Sequence, residues 1–160
     1  MKLSTRGRYA VMAMADMAQQ QKEGRTGPFR LSEIAKRQEI SLHYLEQIFG
    51  DLRRADLVTS QRGAHGGYHL AQSAGLIRIG DVIGAVDEPL DVTRCQISSG
   101  CLGNHARCLT HDLWAELSAH IHSFLNGISL ADVVDGHKII APEPLFCEQI
   151  SDLRSVEGLR

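Results

Sequence analysis

The chain has 160 residues, of which 43% are hydrophobic and 22% charged, and its formal net charge at pH 7 is −2. These values are ordinary for a globular protein of one domain, or of a small domain with an appendage. No apolar run approaches the ~18 residues of a membrane span, and the N-terminus lacks the apolar core of a signal peptide. The sequence therefore predicts a cytoplasmic protein without a membrane partner, where clustered cysteines favour metal or redox chemistry over disulfides.

The charge is unevenly distributed. Residues 1–72 contain eleven Lys/Arg against seven Asp/Glu, giving +4, whereas the rest of the chain contains six against twelve, giving −6. A basic first half joined to an acidic second half indicates an anionic partner for the first half alone.

Ser4 or Thr5 is predicted to cap a helix that runs through 7–18. It is apolar on nearly all sides, which is typical of a central, buried helix. The turn-rich segment 22–28 ends it.

Two short helices follow. Ser32 is predicted to cap a helix over 33–37, and Ser41 a second helix over Leu42–Arg54. The second has an inner apolar face at helical spacing, formed by Leu45, Ile48, Phe49 and Leu52. Two short helices joined by a tight polar turn predict a helix-turn-helix.

A strand–turn–strand pattern comes next. Residues 57–60 and 68–71 read as short strands, and the glycine-rich turn between them carries Arg62 and His65. In this order after a helix-turn-helix, the pattern predicts a winged helix. The alternative is a generic helical core with a surface hairpin.

Candidate DNA contacts cluster near the start of the second short helix, where base edges come within reach of a helix in the major groove. Glu46 is the informative one, because a carboxylate repels phosphates unless it accepts a hydrogen bond from a cytosine amino group. The alternative for Glu46 is a solvated surface charge. The full set of candidates is Arg8, Ser41, His43, Tyr44, Glu46, Gln47, Arg62 and His65.

A loop rich in Gly, Ser and Asn carries three of the four cysteines and a histidine, in the spacing C-x5-C-x6-C-x2-H. Thiolates and an imidazole at such spacing suit zinc, copper or an iron–sulfur cluster. The alternative, ordinary buried cysteines, suits a polar loop poorly. The candidate metal ligands are Cys95, Cys101, Cys108 and His111.

A short helix is predicted over 79–86, and a long helix that begins near Thr110 or Asp112 follows the loop. The long helix has an apolar stripe that predicts pairing with a second copy of the chain, the alternative being packing on the chain's own first helix. Ser129 is predicted to cap one more short helix. The stripe consists of Leu113, Leu117, Ile121, Phe124 and Ile128, widened by Trp114 and Leu125.

The pattern thus predicts a mainly α fold with a small β-hairpin wing, divided into three parts. Residues 1–80 form the winged helix-turn-helix, 81–135 the ligand loop and dimerisation helix, and 136–160 a loosely ordered tail. The glycine turn lacks the spacing of a dinucleotide-binding loop, and neither a nucleophile elbow nor a zinc-protease motif is present, so no enzyme is predicted.

Four segments resemble the Rrf-type winged-helix transcription regulators: the opening 1–10, the helix 41–49, the wing 62–68 and the segment 81–87. Within that family, 108–114 (Cys-Leu-Thr-His-Asp-Leu-Trp) is similar to the bacterial iron–sulfur cluster regulators. The resemblance covers roughly 1–135. It implies a homodimer that binds double-stranded DNA at a promoter palindrome, and a [2Fe-2S] cluster held by the three cysteines and the histidine.

The resemblance also implies that cluster occupancy selects promoters, typically those of cluster-assembly genes, with the assembly scaffold as cluster donor. The loop here is one residue longer than is usual in the family and contains His105, whereas His111 matches the motif. The wing has His65 within Gly-Ala-His-Gly-Gly, where the family usually has Gly-Pro-Gly-Gly-Gly. Two alternatives remain: a winged-helix regulator with a structural zinc site, and a relative that senses nitric oxide or iron through a different cluster.

Overall fold

The computed structural model describes residues 4–63, 66–86, 101 and 107–136. The mainly helical fold with a small antiparallel hairpin, predicted from the sequence, is confirmed. No helix in these ranges is long and apolar enough to cross a membrane. In chain order the elements are α1 (Thr5–Lys22), α2 (Leu31–Gln38), α3 (Leu42–Arg54), β1 (Val58–Gln61), β2 (Gly67–Leu70), α4 (Ile79–Val86), α5 (His111–Gly127) and α6 (Leu130–Asp135).

Helix α1 is the centre of the fold, as predicted. It begins after Ser4, whose Oγ accepts a hydrogen bond from the backbone N–H of Gly7 at 3.0 Å. Its small residues Ala10 and Ala13 are fully buried, which lets neighbouring helices approach closely. Helices α2, α3, α4 and α6 all pack against it.

The helix-turn-helix consists of α2 and α3. Helix α3 has the predicted bounds, and Ser41 caps it by accepting from the N–H of Tyr44 at 3.2 Å. The predicted cap of α2 is wrong: Arg30 is the N-cap residue, and Ser32 lies inside the first turn. The reason is that Phe29 is paired with Tyr68, so the chain stays extended through Arg30 and turns into the helix directly afterwards.

An ion pair between buried Asp16 and partly exposed Arg37 joins α2 to α1. The carboxylate of Asp16 accepts hydrogen bonds from Arg37 Nη2 at 2.6 Å and from Gln38 Nε2 at 3.0 Å. The hydrogen bond to Asp16 raises the pKa of Arg37 above its ordinary value. Since Asp16 is buried, these bonds fix the position of α2 against the central helix.

The hairpin pairs Val58 with Leu70 and Gln61 with Gly67, and both strands begin within one residue of the predicted positions. Phe29 extends it by exchanging two backbone hydrogen bonds of 2.8 Å with Tyr68. A Cβ at Gly67 would come within 2.5 Å of the Phe29 carbonyl oxygen, so this close approach requires glycine.

Helix α4 connects the two halves of the molecule, because it packs against α1, α3 and α5. Helix α6 returns to α1 and has the predicted Ser129 cap, here a capping box in which Ser129 and Asp132 cap each other's backbone. Helix α5 packs mainly on α4, not on α1 as the alternative held. Within the described range 107–136, Ser118 is the only residue of α5 that is buried.

Candidate DNA-binding surface and ligand cluster

The outer face of α3 carries most of the candidate DNA contacts. The side chains of His43 and Glu46 are 83% and 58% exposed, and Gln47 is also exposed. Opposite them, four fully buried side chains hold the helix against the body. Amphipathic spacing thus presents the polar start of α3 to the outside as a continuous surface.

Three of these side chains contact one another. Gln47 Nε2 lies 3.2 Å from His43 Nε2, and His43 Nδ1 lies 3.8 Å from Glu46 Oε2. His43 therefore lies between Glu46 and Gln47 on the outer face of α3.

Tyr44 serves packing as well as the surface. It is half-buried, and its ring meets Tyr9 of α1 edge to face, with centroids 5.8 Å apart and planes at 86°. The exposed Arg8 lies near the ring of Tyr9, with its guanidinium carbon 6.0 Å from the ring centroid. The N-terminal part of α1 and the start of α3 therefore form one surface.

The wing and the end of α3 add cations. Arg62 is exposed immediately after β1, whereas His65 lies outside the described residues. Asp51 accepts hydrogen bonds from both Arg6 and Arg54 and so orients two guanidinium groups on this side. The Arg54 contact follows from the i,i+3 spacing, but no sequence signal links Asp51 to Arg6.

The structure brings two of the four candidate metal ligands together. Cys101 Sγ lies 3.0 Å from Nδ1 of His111, the first residue of α5. Cys108 is half-buried and precedes His111 by three residues. Cys95 and His105 lie outside the described residues. Among the residues that are described, no three Cys, His, Asp or Glu side chains come close enough to hold a metal ion.

The electrostatic setting favours anionic ligands. The ligand pair lies at the N-terminus of α5, where the helix dipole stabilises negative charge. Arg107 lies beside it, with Nη1 3.6 Å from Asp112 Oδ1, and both side chains are exposed. Thiolates are therefore better stabilised here than in an ordinary loop.

A sequence profile described as "Rrf2: Iron-dependent Transcriptional regulator" matches residues 3–136. The chain belongs to the Rrf2 family. Rrf2 members are transcriptional regulators and not enzymes, which confirms a DNA-binding transcription regulator, as predicted from the helix-turn-helix and the wing.

Relatives place the chain among the IscR-type Rrf2 regulators, which confirms the predicted resemblance. It is 50% identical over 140 residues to the HTH-type transcriptional regulator IscR of Klebsiella pneumoniae, covering 88% of this chain and 83% of that one. The solved structure of T. potens IscR superposes with a TM-score of 0.68 at 37% identity, covering 86% of this chain and 89% of that one.

The family fold also occurs in a regulator of a different process. CymR, the global cysteine regulator of B. subtilis, superposes with a TM-score of 0.71 at 32% identity, covering 86% of this chain and 99% of that chain. Since one Rrf2 fold accommodates different regulators, the signal sensed by this chain must be argued from its own site residues.

Proposed function

We propose that this Rrf2 regulator senses iron–sulfur clusters and binds a promoter palindrome as a homodimer in the cytoplasm. A [2Fe-2S] cluster held by Cys95, Cys101, Cys108 and His111 sets its promoter selectivity, mainly at genes for cluster assembly. The observation that carries the proposal is the 3.0 Å approach of Cys101 Sγ to His111 Nδ1 across ten residues.

The donor set fits such a group. Two ligands that share one tetrahedral metal ion lie roughly 3.5 Å apart, given bonds of about 2.3 Å to sulfur and 2.0 Å to nitrogen. The observed 3.0 Å separation needs only a small opening of the pair. Cys108 and Cys95 would complete the set, and the positive end of α5 offsets the charge of the thiolates. The bound cluster would supply a redox-active, removable group whose presence reports cluster supply.

The dimer is proposed from the outward face of α5. Leu113 is 61% and Leu117 39% exposed, and the two lie one turn apart on the same face of the helix. An exposed leucine pair on a helix that buries so little of itself favours an isologous contact with a second copy. Two copies related by a two-fold axis would present two α3 helices to successive major grooves, about 10 base pairs apart.

The proposed site connects to α3 through a single helix. His111 begins α5, α5 packs on α4, and α4 packs on both α3 and α1. A shift of α5 that follows cluster binding would therefore reach α3 by way of α4. In this division of the chain, 1–80 bind DNA and 81–135 bind the cluster and form the dimer, while the tail from 137 lies outside the described residues.

The proposal is tested by purifying the full chain under anaerobic conditions. We expect a reddish-brown protein with visible absorption and two iron and two acid-labile sulfide per chain, as a [2Fe-2S] cluster requires. A colourless protein that contains one zinc per chain would contradict cluster sensing and favour the structural-zinc alternative.

A second measurement tests the DNA part. Binding to a palindromic duplex should weaken steeply as salt rises, because Lys and Arg contacts release counterions from the phosphates. A protein that stays monomeric at micromolar concentration and binds random duplex equally well would contradict the dimer proposal.

A further inference from the structure

Thr110 occupies the N-cap position of α5 but does not cap the helix. Its backbone has φ −103° and ψ 12°, and its side chain makes no capping hydrogen bond. Threonine is a favoured N-cap residue because its oxygen usually accepts from the N–H two or three positions ahead. The hydroxyl of Thr110 instead contacts two neighbouring side chains.

The two side chains that contact this hydroxyl are those of Trp114 and Cys108. Trp114 Nε1 donates a hydrogen bond to Thr110 Oγ1 at 3.1 Å. On its other side, Thr110 Oγ1 lies 3.6 Å from Cys108 Sγ, which is within hydrogen-bonding range for sulfur. The three side chains form a row from the half-buried indole to a candidate cluster ligand.

The direction of these bonds follows from what each group can do. The indole N–H can only donate, so Thr110 Oγ1 accepts from it and keeps its own proton available. A cysteine that binds iron does so as a thiolate, which can only accept. With Cys108 as a ligand, the hydroxyl of Thr110 must donate to Sγ, and the bond from Trp114 polarises it toward donation.

We propose that Thr110 and Trp114 are positioning residues that orient the Cys108 thiolate and raise the reduction potential of the cluster. The inference rests on the proposed function, since it presumes that a cluster binds. A hydrogen bond to a ligand sulfur withdraws electron density from the cluster and so stabilises its reduced, more negative state. The motif Cys-Leu-Thr-His-Asp-Leu-Trp thereby contains two ligands together with the two residues that support one of them.

Trp114 also provides a built-in signal. It is the only tryptophan of the chain, so tryptophan fluorescence comes from this position alone. Since its indole is hydrogen-bonded to Thr110, whose hydroxyl also contacts Cys108, its emission should be quenched when the cluster binds and recover when the cluster is removed.

The test uses the full chain with its cluster reconstituted under anaerobic conditions. Thr110→Val keeps the branched shape and removes the hydroxyl, Thr110→Ser restores the hydroxyl, and Trp114→Phe removes only the indole donor. Ser123→Ala, which deletes an exposed hydroxyl more than two turns further along α5, is the matched control. The readouts are the reduction potential, by spectroelectrochemistry, and the rate of cluster loss to an iron chelator.

We expect Thr110→Val to lower the potential and to weaken cluster retention about tenfold, the usual cost of losing a supporting hydrogen bond to a ligand. Trp114→Phe should shift the potential in the same direction by less, whereas Thr110→Ser and Ser123→Ala should match the wild type. Equal potentials in the wild type, Thr110→Val and Trp114→Phe would overturn the inference, as would a Thr110→Ser protein that behaves like Thr110→Val.

The two possible failures are distinguishable. If the wild type takes up no cluster, as judged by visible absorption and by unchanged Trp114 emission, the proposed function fails and the inference fails with it. If the wild type is loaded and the hydroxyl deletion changes neither potential nor retention, only the inference is wrong.

Discussion

Helices α3 and α5 are both amphipathic, but the chain uses them in opposite ways. Of the 13 residues of α3, four large apolar ones are buried: Leu45, Ile48, Phe49 and Leu52. Of the 17 residues of α5, only Ser118 is buried, while Leu113 and Leu117 are exposed. Helix α3 is thus held by the core, whereas most of α5 is left uncovered by the other described residues.

This difference separates a surface that is firmly supported by the core from a candidate ligand site that has little support among the described residues. The outer face of α3 is supported on its inner side by packing, so its geometry should survive loss of cluster or partner. The ligand pair at the start of α5 has little buried support, so its geometry should depend on what binds there. The predictions below test this contrast, from the largest expected effect to the smallest.

Replacing His111 should have the largest effect. His111→Ala removes a proposed ligand and should abolish or strongly weaken cluster binding. His111→Cys should retain the cluster, bind it more firmly and lower its potential, because a fourth thiolate adds negative charge and holds iron better than a neutral imidazole. Visible absorption and spectroelectrochemistry provide the measurement.

His105→Ala is the matched control for His111 and should change little. The opposite result, with the cluster retained in His111→Ala and lost in His105→Ala, would assign the fourth ligand to His105.

Charge on the outward face of α5 should break the dimer. Leu117→Glu would bury a carboxylate in the proposed interface and should cost about 2 kcal/mol or more of dimer stability. Ala119→Glu adds the same charge at an exposed position about 200° further round the helix and should leave the dimer intact. Sedimentation at several concentrations measures both, and equal behaviour of the two variants would contradict the proposed face.

Asp16→Asn tests how firmly the core holds the helices of the DNA-binding part. It removes the charge of a buried carboxylate that pairs with the partly exposed Arg37, and should lower the free energy of unfolding by about 2 kcal/mol. Glu33→Gln is the control, because Glu33 is a more exposed neighbour of the same Arg37 and its ion pairs should contribute about 0.5 kcal/mol. Urea unfolding measures both, and a loss of similar size in the two variants would show that burial is not what makes Asp16 important.

Glu46→Ala tests base readout by α3. If Glu46 accepts from a cytosine, the variant should lose about 1–3 kcal/mol of discrimination at one position per half-site, with non-specific affinity unchanged or improved. Selection from a random duplex library measures this. The same preferred sequence for variant and wild type would make Glu46 a solvated surface charge.

The smallest expected effect concerns the contact between α4 and α5. A Cβ at Gly80 would collide with the side chain of Asn126, whereas a Cβ at Gly84, one turn along α4, would meet nothing within 4 Å. Gly84→Ala should therefore stabilise the helix by up to about 1 kcal/mol, and Gly80→Ala should be about 1–2 kcal/mol less stable than Gly84→Ala. Adding Asn126→Ala to Gly80→Ala should restore most of the difference. Equal stability of the two alanine variants would mean that α5 does not pack closely on α4.

The contrast also explains how much could be predicted from the sequence. Helices α3 and α4 have their predicted bounds, because periodic burial and a Ser41 cap are local signals. The pairing of Phe29 with Tyr68 has no local signal, since a single bridged residue has no period, and it displaced the predicted cap of α2 from Ser32.

For the candidate ligand site, the sequence predicts residues but not geometry. The Cys and His spacing points to four candidate ligands, yet it does not determine that Cys101 Sγ lies 3.0 Å from His111 Nδ1. The spacing also does not indicate that the Thr110 side chain contacts Cys108 and Trp114 and makes no capping hydrogen bond. The apolar stripe of α5 was predicted as one face, but the structure divides it: Leu125 and Ile128 pack on the body, while Leu113 and Leu117 point outward.

The central claim, that cluster occupancy sets DNA selectivity, is tested most directly by one paired selection. The cluster-loaded protein and the cluster-free protein are each incubated anaerobically with the same random duplex library, and the bound sequences are compared. We expect both forms to select two-fold palindromes, with different preferred bases in the half-sites. The same sequences, bound with the same affinities by both forms, would contradict the claim.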